Sequence, residues 1–313
     1  MKISRRDFIG KAAQTGLMGL AGGSLLTAAG RRSRAPFAAW AVPDLASVRS
    51  ADASKAAAKA VELLGGMSKF VPKGSRVALL PNSQSAHPGT FTKPGILRAV
   101  IRMCREAGAS QIDVLSWLKP KNWEATGLAE VIRSEGAALA LVENSESQFK
   151  PVPLAKGKDL TEARIMRAVF EHDVLIDIPI VKDHAGNRFT GTMKNLMGVN
   201  YSQVNLFFHS GRFKDPDDIG HLDQCIADLN LAVRPALCVV DLTEVISTNG
   251  PFGPGKLIQP GRVVAGVDRV ALDAYGASQL GIEAKEILMI RRGSEHGLGE
   301  IDLQRVSIAE IDA

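Results

Sequence analysis

Residues 174–184 read VLIDIPIVKDH, and this stretch contains the pattern that decides the fold class. A run rich in β-branched residues ends at Ile178, and the charged group Lys182, Asp183 and His184 begins four residues later. Runs that are apolar at nearly every position are typical of strands that helices cover on both faces. Ligands of parallel sheets bind beyond the carboxyl ends of the strands, so the charged group marks a candidate site.

Five similar runs occur elsewhere, at residues 77–80, 112–115, 137–142, 236–240 and 263–265. Helical patterns lie between them, such as residues 94–107, which begin with proline and are followed by Gly108. Residues 42–73 are predicted to hold one helix. Strands alternating with helices of this length predict an α/β fold, in which a largely parallel, Rossmann-like sheet has helices on both faces. We expect a single α/β domain over residues 42–313.

Residues 1–41 have the pattern of an export signal rather than of a folded domain. Residues 4–11 read SRRDFIGK, which resembles the twin-arginine export signal, and the uncharged stretch 12–30 follows. Residues 39–41 read AWA, a small-x-small cleavage site, so the mature chain is expected to begin at Val42. The pattern predicts that the twin-arginine export machinery delivers the protein to the periplasm or another extracytoplasmic compartment.

Two alternatives to a cleaved signal remain open. Residues 1–41 could form an amphipathic N-terminal helix of a cytosolic protein. The nineteen uncharged residues 12–30 could also be retained as a membrane anchor, although their five glycines weaken that interpretation. No later stretch has the pattern of a transmembrane helix, so no membrane span is expected after signal removal.

Charge and cysteine content exclude two broad classes of protein. The chain has 313 residues and a formal net charge of +5, but residues 1–41 carry seven of its basic side chains and one acidic side chain. The remaining chain has 31 basic and 32 acidic side chains, so no nucleic-acid partner is expected. The three cysteines form no C-x-x-C pair, which excludes a four-cysteine iron–sulfur cluster within this chain.

Polar residues follow the predicted strands at several places and should meet at one edge of the sheet. Lys182, His184 and Lys194 are the candidate catalytic residues, because histidine and lysine can be tuned to transfer protons near neutral pH. The candidate ligand-binding residues are Asn82, His87, Thr190, Gly191, Thr192 and Asn195. The stretch 183–217, which contains most of these residues, fits neither a helix nor a strand and is predicted to be a functional loop.

Residues 190–195 read TGTMKN, a turn that opens a short helix. Hydroxyl groups, a glycine and a lysine at a helix N-terminus suit an anion such as phosphate or carboxylate. The alternative is simple capping, with Thr192 as N-cap and Lys194 in solvent. The spacing is not that of a P-loop, so an ATPase or GTPase is disfavoured.

A divalent metal is the cofactor that the polar residues allow, and its identity is left open. His184, Asp241 and Glu244 together could form a site of mixed imidazole and carboxylate ligands, with His209 or His87 as alternatives to His184. The alternative is that the carboxylates at the end of a strand cap a helix or turn. His221 reads as a surface residue, and nothing in the sequence marks Cys225 as a nucleophile.

The order of several motifs resembles a bacterial and archaeal family called domain of unknown function 362. The motifs are L-P-N, I-P-x-x-K-D-H, T-G-T-M-K-N-L-M-G, V-V-D and G-V-D-R-V-A-L-D-A, over about residues 77–281. The resemblance implies a fold and a site but no reaction. Many members carry an added ferredoxin-like segment with clustered cysteines, which this chain lacks. The opening of the mature chain also looks like the first domain of the nickel-pincer lactate racemases, which use histidines and a lysine.

These observations predict an exported α/β protein that binds or acts on a small anionic molecule, with a metal or another cofactor. The alternative is a non-catalytic periplasmic protein that binds a solute or metal, or that serves a redox complex as an accessory factor. The sequence leaves open whether the protein is an enzyme, what it acts on, and its oligomeric state.

Overall fold

The computed structural model describes residues 42–209 and 216–313, so the predicted signal lies outside the described residues. The strands are β1 (Leu45–Arg49), β2 (Arg76–Pro81), β3 (Gln111–Ser116), β4 (Ala138–Leu141), β5 (Phe149–Pro153), β6 (Glu162–Met166), β7 (Val174–Ile178), β8 (Leu237–Leu242), β9 (Val245–Ile246), β10 (Leu257–Ile258), β11 (Arg262–Gly266) and β12 (Ile308–Asp312). The α-helices are α1 (Ala53–Leu63), α2 (Pro94–Glu106), α3 (Pro120–Ala125), α4 (Leu128–Ser134), α5 (Arg167–Phe170), α6 (Thr192–Asn195), α7 (Ser202–Phe208), α8 (Pro216–Leu229), α9 (Arg269–Gln279) and α10 (Leu288–Glu295). In this part of the chain, no helix has the length and apolar character needed to cross a membrane.

Eight of the strands form one sheet in the order β12-β1-β11-β8-β7-β2-β3-β4. The five strands from β8 to β4 run parallel to one another. Strand β11 is antiparallel to β8 and to β1, whereas β12 is parallel to β1. The prediction of an α/β fold with a largely parallel sheet is therefore confirmed, and β11 makes the sheet mixed. Residues 42–73 hold β1 in addition to the predicted helix.

Helices cover both faces of the sheet because neighbouring strand residues belong to different cores. Val77 and Leu79 of β2 pack with the apolar side chains of α1, α2 and α4. Ala78 and Leu80 of the same strand belong to the core formed with α8, α9 and α10. The predicted apolar stripe of α2 is buried throughout, and its Pro94 occupies the first turn, where a missing N–H costs nothing.

The order of the strands reverses between β2 and β7, and this reversal positions the site. From β2 the chain proceeds to β3 and β4 on one side, and it later places β7 and β8 on the other side. The carboxyl ends of the two strands lie side by side, since Pro81 is in register with Ile178. Loops that leave two such strands in opposite directions open a crevice, where α/β proteins of this kind bind ligands.

Candidate functional site

A cavity of about 850 Å³ lies at this crevice, between the loops that follow β2 and β7. Its polar wall contains Asn82, Lys182, His184, Thr190, Lys194, Asn195, Asn205 and His209. Its apolar wall contains Leu115, Trp117, Leu118, Met197, Leu206 and Phe252. The volume is that of a small-molecule site, and most of the predicted catalytic and ligand-binding residues meet in it.

A short hairpin places Lys182 in the cavity. The backbone groups of Lys182 and Thr190 exchange two hydrogen bonds, with N···O distances of 3.1 and 2.8 Å, so the segment between them turns back beside β7. The Lys182 side chain is 1% exposed, and its Nζ donates to the Thr90 carbonyl at 2.6 Å and to Asn82 Oδ1 at 3.3 Å. Burial, with a smaller effect from the charge of Lys194, lowers the pKa of Lys182 to about 7.

Two asparagines connect Lys182 to a buried carboxyl group. Asn82 accepts from Lys182 and donates through Nδ2 to Asn195 Oδ1 at 2.9 Å. Asn195 in turn donates to Asp177 Oδ1 at 2.7 Å and to the Leu80 carbonyl at 3.0 Å. Burial raises the pKa of Asp177 well above its usual value. The chain of amides orients the ammonium group of Lys182 and presents it with neutral oxygen atoms.

The second lysine of the cavity has a similar arrangement, with one amide between it and a carboxyl group. Lys194 Nζ donates to Asn187 Oδ1 at 3.2 Å, and Asn187 Nδ2 donates to Asp223 Oδ1 at 2.6 Å. Asp223 also accepts from the Met289 backbone N–H at 3.1 Å. Burial lowers the pKa of Lys194 and raises that of Asp223, because both charged forms lose their hydration. Lys194 is 8% exposed, so the alternative that its side chain points into solvent is wrong.

Two histidines of the cavity present opposite hydrogen-bonding groups. His184 Nδ1 accepts from the backbone N–H groups of Gly186 at 3.0 Å and Asn187 at 3.3 Å, so the neutral ring carries its proton on Nε2. His209 Nδ1 lies 2.7 Å from the Asn205 carbonyl, to which it must donate, so its neutral ring has the lone pair on Nε2. Burial lowers the pKa of both rings, and the nearby Lys194 lowers it further. Near neutral pH, His184 is therefore a donor and His209 an acceptor.

Two buried polar atoms complete the wall. Thr190 Oγ1 and Trp117 Nε1 have no hydrogen-bond partner among the residues that the structure describes. Both residues line the cavity, and Thr190 is 4% exposed. Because buried polar atoms are rarely left unpaired in folded proteins, these two are candidates for hydrogen bonds to a ligand.

The predicted anion cradle at the start of α6 does not form. The backbone N–H groups of Thr192 and Met193 donate to the two carboxylate oxygens of Asp273, at 2.5 and 3.0 Å. A Cβ at Gly191 would lie 2.3 Å from Asp273 Oδ1, so glycine is needed for this close approach. Gly191 and Thr192 lie outside the cavity wall, and capping by Asp273 is their role.

The predicted metal ligands Asp241 and Glu244, and the predicted ligand-binding residue His87, lie outside the cavity wall. Asp241 accepts from the Lys93 backbone N–H at 2.8 Å and from Thr243, while Glu244 forms an ion pair of 2.9 Å with Lys93 Nζ. His87 is exposed. The two carboxylates therefore fix the start of α2 instead of pointing at His184.

His184 itself does not fit the role of a metal ligand. A ligating histidine normally donates its second N–H to an acceptor, whereas Nδ1 of His184 accepts from backbone amides and leaves the proton on Nε2. His184, Asp241 and Glu244 are thus not brought together as a metal site in the part of the chain that the structure describes. The described residues whose ligand atoms do lie close together are Asp159, His221 and Cys225.

Sequence reasoning missed three of the polar groups, namely Asn187, Asp223 and Asn205, and it considered His209 only as an alternative metal ligand. Asn187 and Asn205 lie in the stretch 183–217, whose lack of periodicity was the available signal. Asp223 lies inside the helical pattern of α8, where an acidic residue is indistinguishable from a solvent-exposed one. Asp223 contacts Asn187 because α8 packs beside the 182–190 hairpin, and the sequence pattern does not show this packing.

The fold and the cavity define an α/β protein with a large cavity at the switch point of a largely parallel sheet. The chain belongs to the family described as domain of unknown function (DUF362), whose model matches residues 77–278. The resemblance seen in the sequence motifs is therefore confirmed.

Two individual proteins are similar to this chain. A thylakoid-associated protein of Synechocystis sp. is 29% identical over 220 residues, which cover 68% of this chain and 65% of that protein. The solved apoprotein of lactate racemase from Thermoanaerobacterium thermosaccharolyticum matches with a TM-score of 0.48 and 16% identity, over 73% of this chain and 57% of that one. The chain thus spans less than two thirds of the length of either protein.

Proposed function

We propose that the cavity binds a small anionic molecule with an apolar body. The observation that carries the proposal is that two lysine side chains are buried in one cavity and are hydrogen-bonded to neutral oxygen atoms. A buried ammonium group has lost its hydration, and an anion placed between Lys182 and Lys194 would recover much of that cost. Carboxylate and phosphate are the anionic groups that lysine binds most commonly.

The apolar side chains of the cavity wall favour a ligand whose uncharged part is apolar. Trp117, Leu118, Met197, Leu206 and Phe252 face a space too large for an inorganic ion alone. An acid with an aromatic or aliphatic body would bury that body here while its charged group reaches the two lysines.

The same groups suit proton transfer, so we propose an enzyme of acid–base type rather than a passive carrier. Lys182, whose pKa is about 7, can accept or release a proton at physiological pH while Lys194 holds the anionic group. His184 lies in the same cavity as a neutral ring that carries its proton on Nε2. This combination supports proton abstraction from a carbon next to a carboxylate.

The binding step can be tested with a matched pair of probes, benzoate and benzamide, which have similar shape and differ in charge. We expect titration calorimetry to show binding of benzoate but not of benzamide, with higher affinity at pH 6, where both lysines are charged. Replacing Lys182 and Lys194 together with methionine should weaken benzoate binding by about tenfold or more. The exposed Lys285→Met variant is the control. Equal binding of the two probes, or full retention by the double variant, would refute the proposal.

The catalytic step needs its own measurement. Phenylacetate incubated with the protein in heavy water should lose its methylene proton signal in NMR spectra if Lys182 transfers protons. The Lys182→Met variant should be inactive. Binding of carboxylates without any exchange would assign the non-catalytic alternative, a solute-binding protein.

We also propose that residues 1–41 direct export through the twin-arginine pathway, so that this chemistry takes place outside the cytoplasm. The support is the sequence SRRDFIGK at residues 4–11 and the AWA site at residues 39–41. N-terminal sequencing of protein recovered from its native host tests the expected start at Val42.

A further inference from the structure

A second cluster of functional side chains lies away from the cavity, on one side of α8. His221 and Cys225 are four residues apart on this helix and therefore share a face. Asp159 reaches the same point from the loop between β5 and β6. Its Oδ2 lies 2.9 Å from His221 Nδ1, and Cys225 Sγ lies 3.9 Å from the same nitrogen.

The loop that carries Asp159 is fixed to the helix that carries the other two residues. Asp228 of α8 accepts, through Oδ2, the backbone N–H groups of Lys158, Asp159 and Leu160 at 2.8–2.9 Å. Its Oδ1 accepts from Gln224 Nε2 at 2.8 Å and lies 2.7 Å from His296 Nε2. The relative position of the three side chains is thus set by a buried carboxylate.

A close backbone contact tightens the same loop. A Cβ at Gly157 would lie 2.0 Å from the Leu160 carbonyl oxygen, so the turn requires glycine at this position. Preorganisation of this kind, in which neighbouring groups fix the ligating side chains, is characteristic of built metal sites.

We propose that Asp159, His221 and Cys225 form a binding site for one zinc-like divalent transition-metal ion, separate from the ligand cavity. Carboxylate oxygen, imidazole nitrogen and thiolate sulfur are all ligands of zinc, and in a tetrahedral site their atoms lie about 3.3–3.6 Å apart. The three donor atoms here lie within 4.8 Å of one another, so small side-chain rotations complete the geometry. Three protein ligands leave the fourth position to solvent, which reaches the partly exposed Asp159 and His221.

The local charge favours a cation. The carboxylates of Asp159 and Asp228 both lie close to the Cys225 thiol. Zinc binds the thiolate form of cysteine, so the thiol would release its proton when the ion binds. Two positive charges on the ion then balance the thiolate and the carboxylate.

The site also borders a helix of the ligand cavity. The ring of Phe207 packs edge-on against His221, with 4.8 Å between the ring centres. Phe207 belongs to α7, which also carries Asn205 of the cavity wall. An ion bound at His221 would therefore hold α8, the Asp159 loop and the packing surface for α7 in one arrangement.

Cobalt provides the direct test, because Co²⁺ occupies zinc sites and a thiolate ligand gives it an intense near-ultraviolet absorption band. Full-length protein freed of metal with a chelator should bind one Co²⁺ with this band and one Zn²⁺ by calorimetry. Cys225→Ser should abolish the band, and Asp159→Asn, at a partly exposed position, should weaken Zn²⁺ binding by about tenfold or more. Cys104→Ala removes a buried thiol from the other core and should change neither result.

The effect of Zn²⁺ on the thermal stability of the protein provides a second measurement. Zn²⁺ should raise the melting temperature of the wild-type protein and of Cys104→Ala but not that of Cys225→Ser. Absence of Zn²⁺ binding would overturn the proposal. So would one bound equivalent that persists in Asp159→Asn and Cys225→Ser, since the ion would then occupy another site. Loss of benzoate binding does not bear on this test, because none of the three residues lines the cavity.

Discussion

Replacing Lys182 with methionine tests directly whether the cavity contains a buried ammonium group. Lys182 is 1% exposed, and burial is the main reason why its pKa falls from 10.5 to about 7. Methionine has a similar length and fits the same space, but it carries no charge and does not titrate. The variant therefore removes the protonation equilibrium while it keeps most of the packing.

The sign of the effect follows from the lowered pKa in the folded state. Below pH 7, Lys182 is protonated in both states, and the folded protein bears the full cost of the buried charge, about 5 kcal/mol. Between pH 7 and 10.5, the folded lysine loses its proton while the unfolded lysine keeps it, so wild-type stability rises with pH. At pH 9 the remaining cost is about 2 kcal/mol, and Lys182 thus contributes a rise of about 3 kcal/mol from pH 6 to pH 9.

Urea unfolding of the wild type and of Lys182→Met, at several pH values from 6 to 9, measures this contribution. The free energy of unfolding of the variant minus that of the wild type should fall by about 3 kcal/mol across the range. Loss of the hydrogen bonds to Thr90 and Asn82 lowers the free energy of unfolding of the variant by a similar amount at every pH. Lys285→Met, at an exposed lysine, should give a flat difference. A flat difference for Lys182→Met as well would refute the buried-cation interpretation.

Three further predictions concern the amide chain, the cap of α6 and the signal. Asn195→Ala should destabilise the protein by about 1–3 kcal/mol in urea unfolding, because it leaves two buried polar groups unpaired. Gly191→Ala should cost about 1–3 kcal/mol, whereas Gly220→Ala, whose Cβ has no neighbour closer than 3.9 Å, should be neutral or stabilising in the same assay. Replacing Arg5 and Arg6 with lysine should leave the precursor in the cytoplasm, and periplasmic recovery equal to the wild type would contradict the twin-arginine interpretation.

The fold was predictable from the sequence wherever a strand is covered on both faces. The runs that became β2, β3, β7 and β8 are apolar along almost their whole length, since each contributes to both cores. Strand β12 lies at the sheet edge and is partly exposed, so its sequence has no comparable run. The antiparallel direction of β11 depends on the path of the preceding chain, which local periodicity does not encode.

The candidate site was predictable in its position and only partly in its residues. Lys182, His184 and Lys194 lie where strand-end reasoning places them, and Asn82 and Asn195 are hydrogen-bonded to each other. Asp241 also follows a strand, but its carboxylate turns toward the start of α2. The direction of a side chain at a strand end depends on which helix packs there. Local sequence therefore identifies the edge of the sheet and leaves the choice among its polar residues open.

The two asparagines beside the lysines, Asn82 and Asn187, leave the ammonium groups without a direct salt bridge. An aspartate at position 82 or 187 would form a salt bridge with the neighbouring ammonium group and raise its pKa. The amides instead accept from Lys182 and Lys194 without neutralising them, while Asp177 and Asp223 lie one or two hydrogen bonds further away. Each carboxyl group thus orients its amide, and of the two only Asp223 also raises the pKa of its lysine through its charge. The buried positive charge lowers the stability of the ligand-free protein. An anionic ligand that balances this charge would remove the destabilisation, and the free energy recovered would add to its affinity.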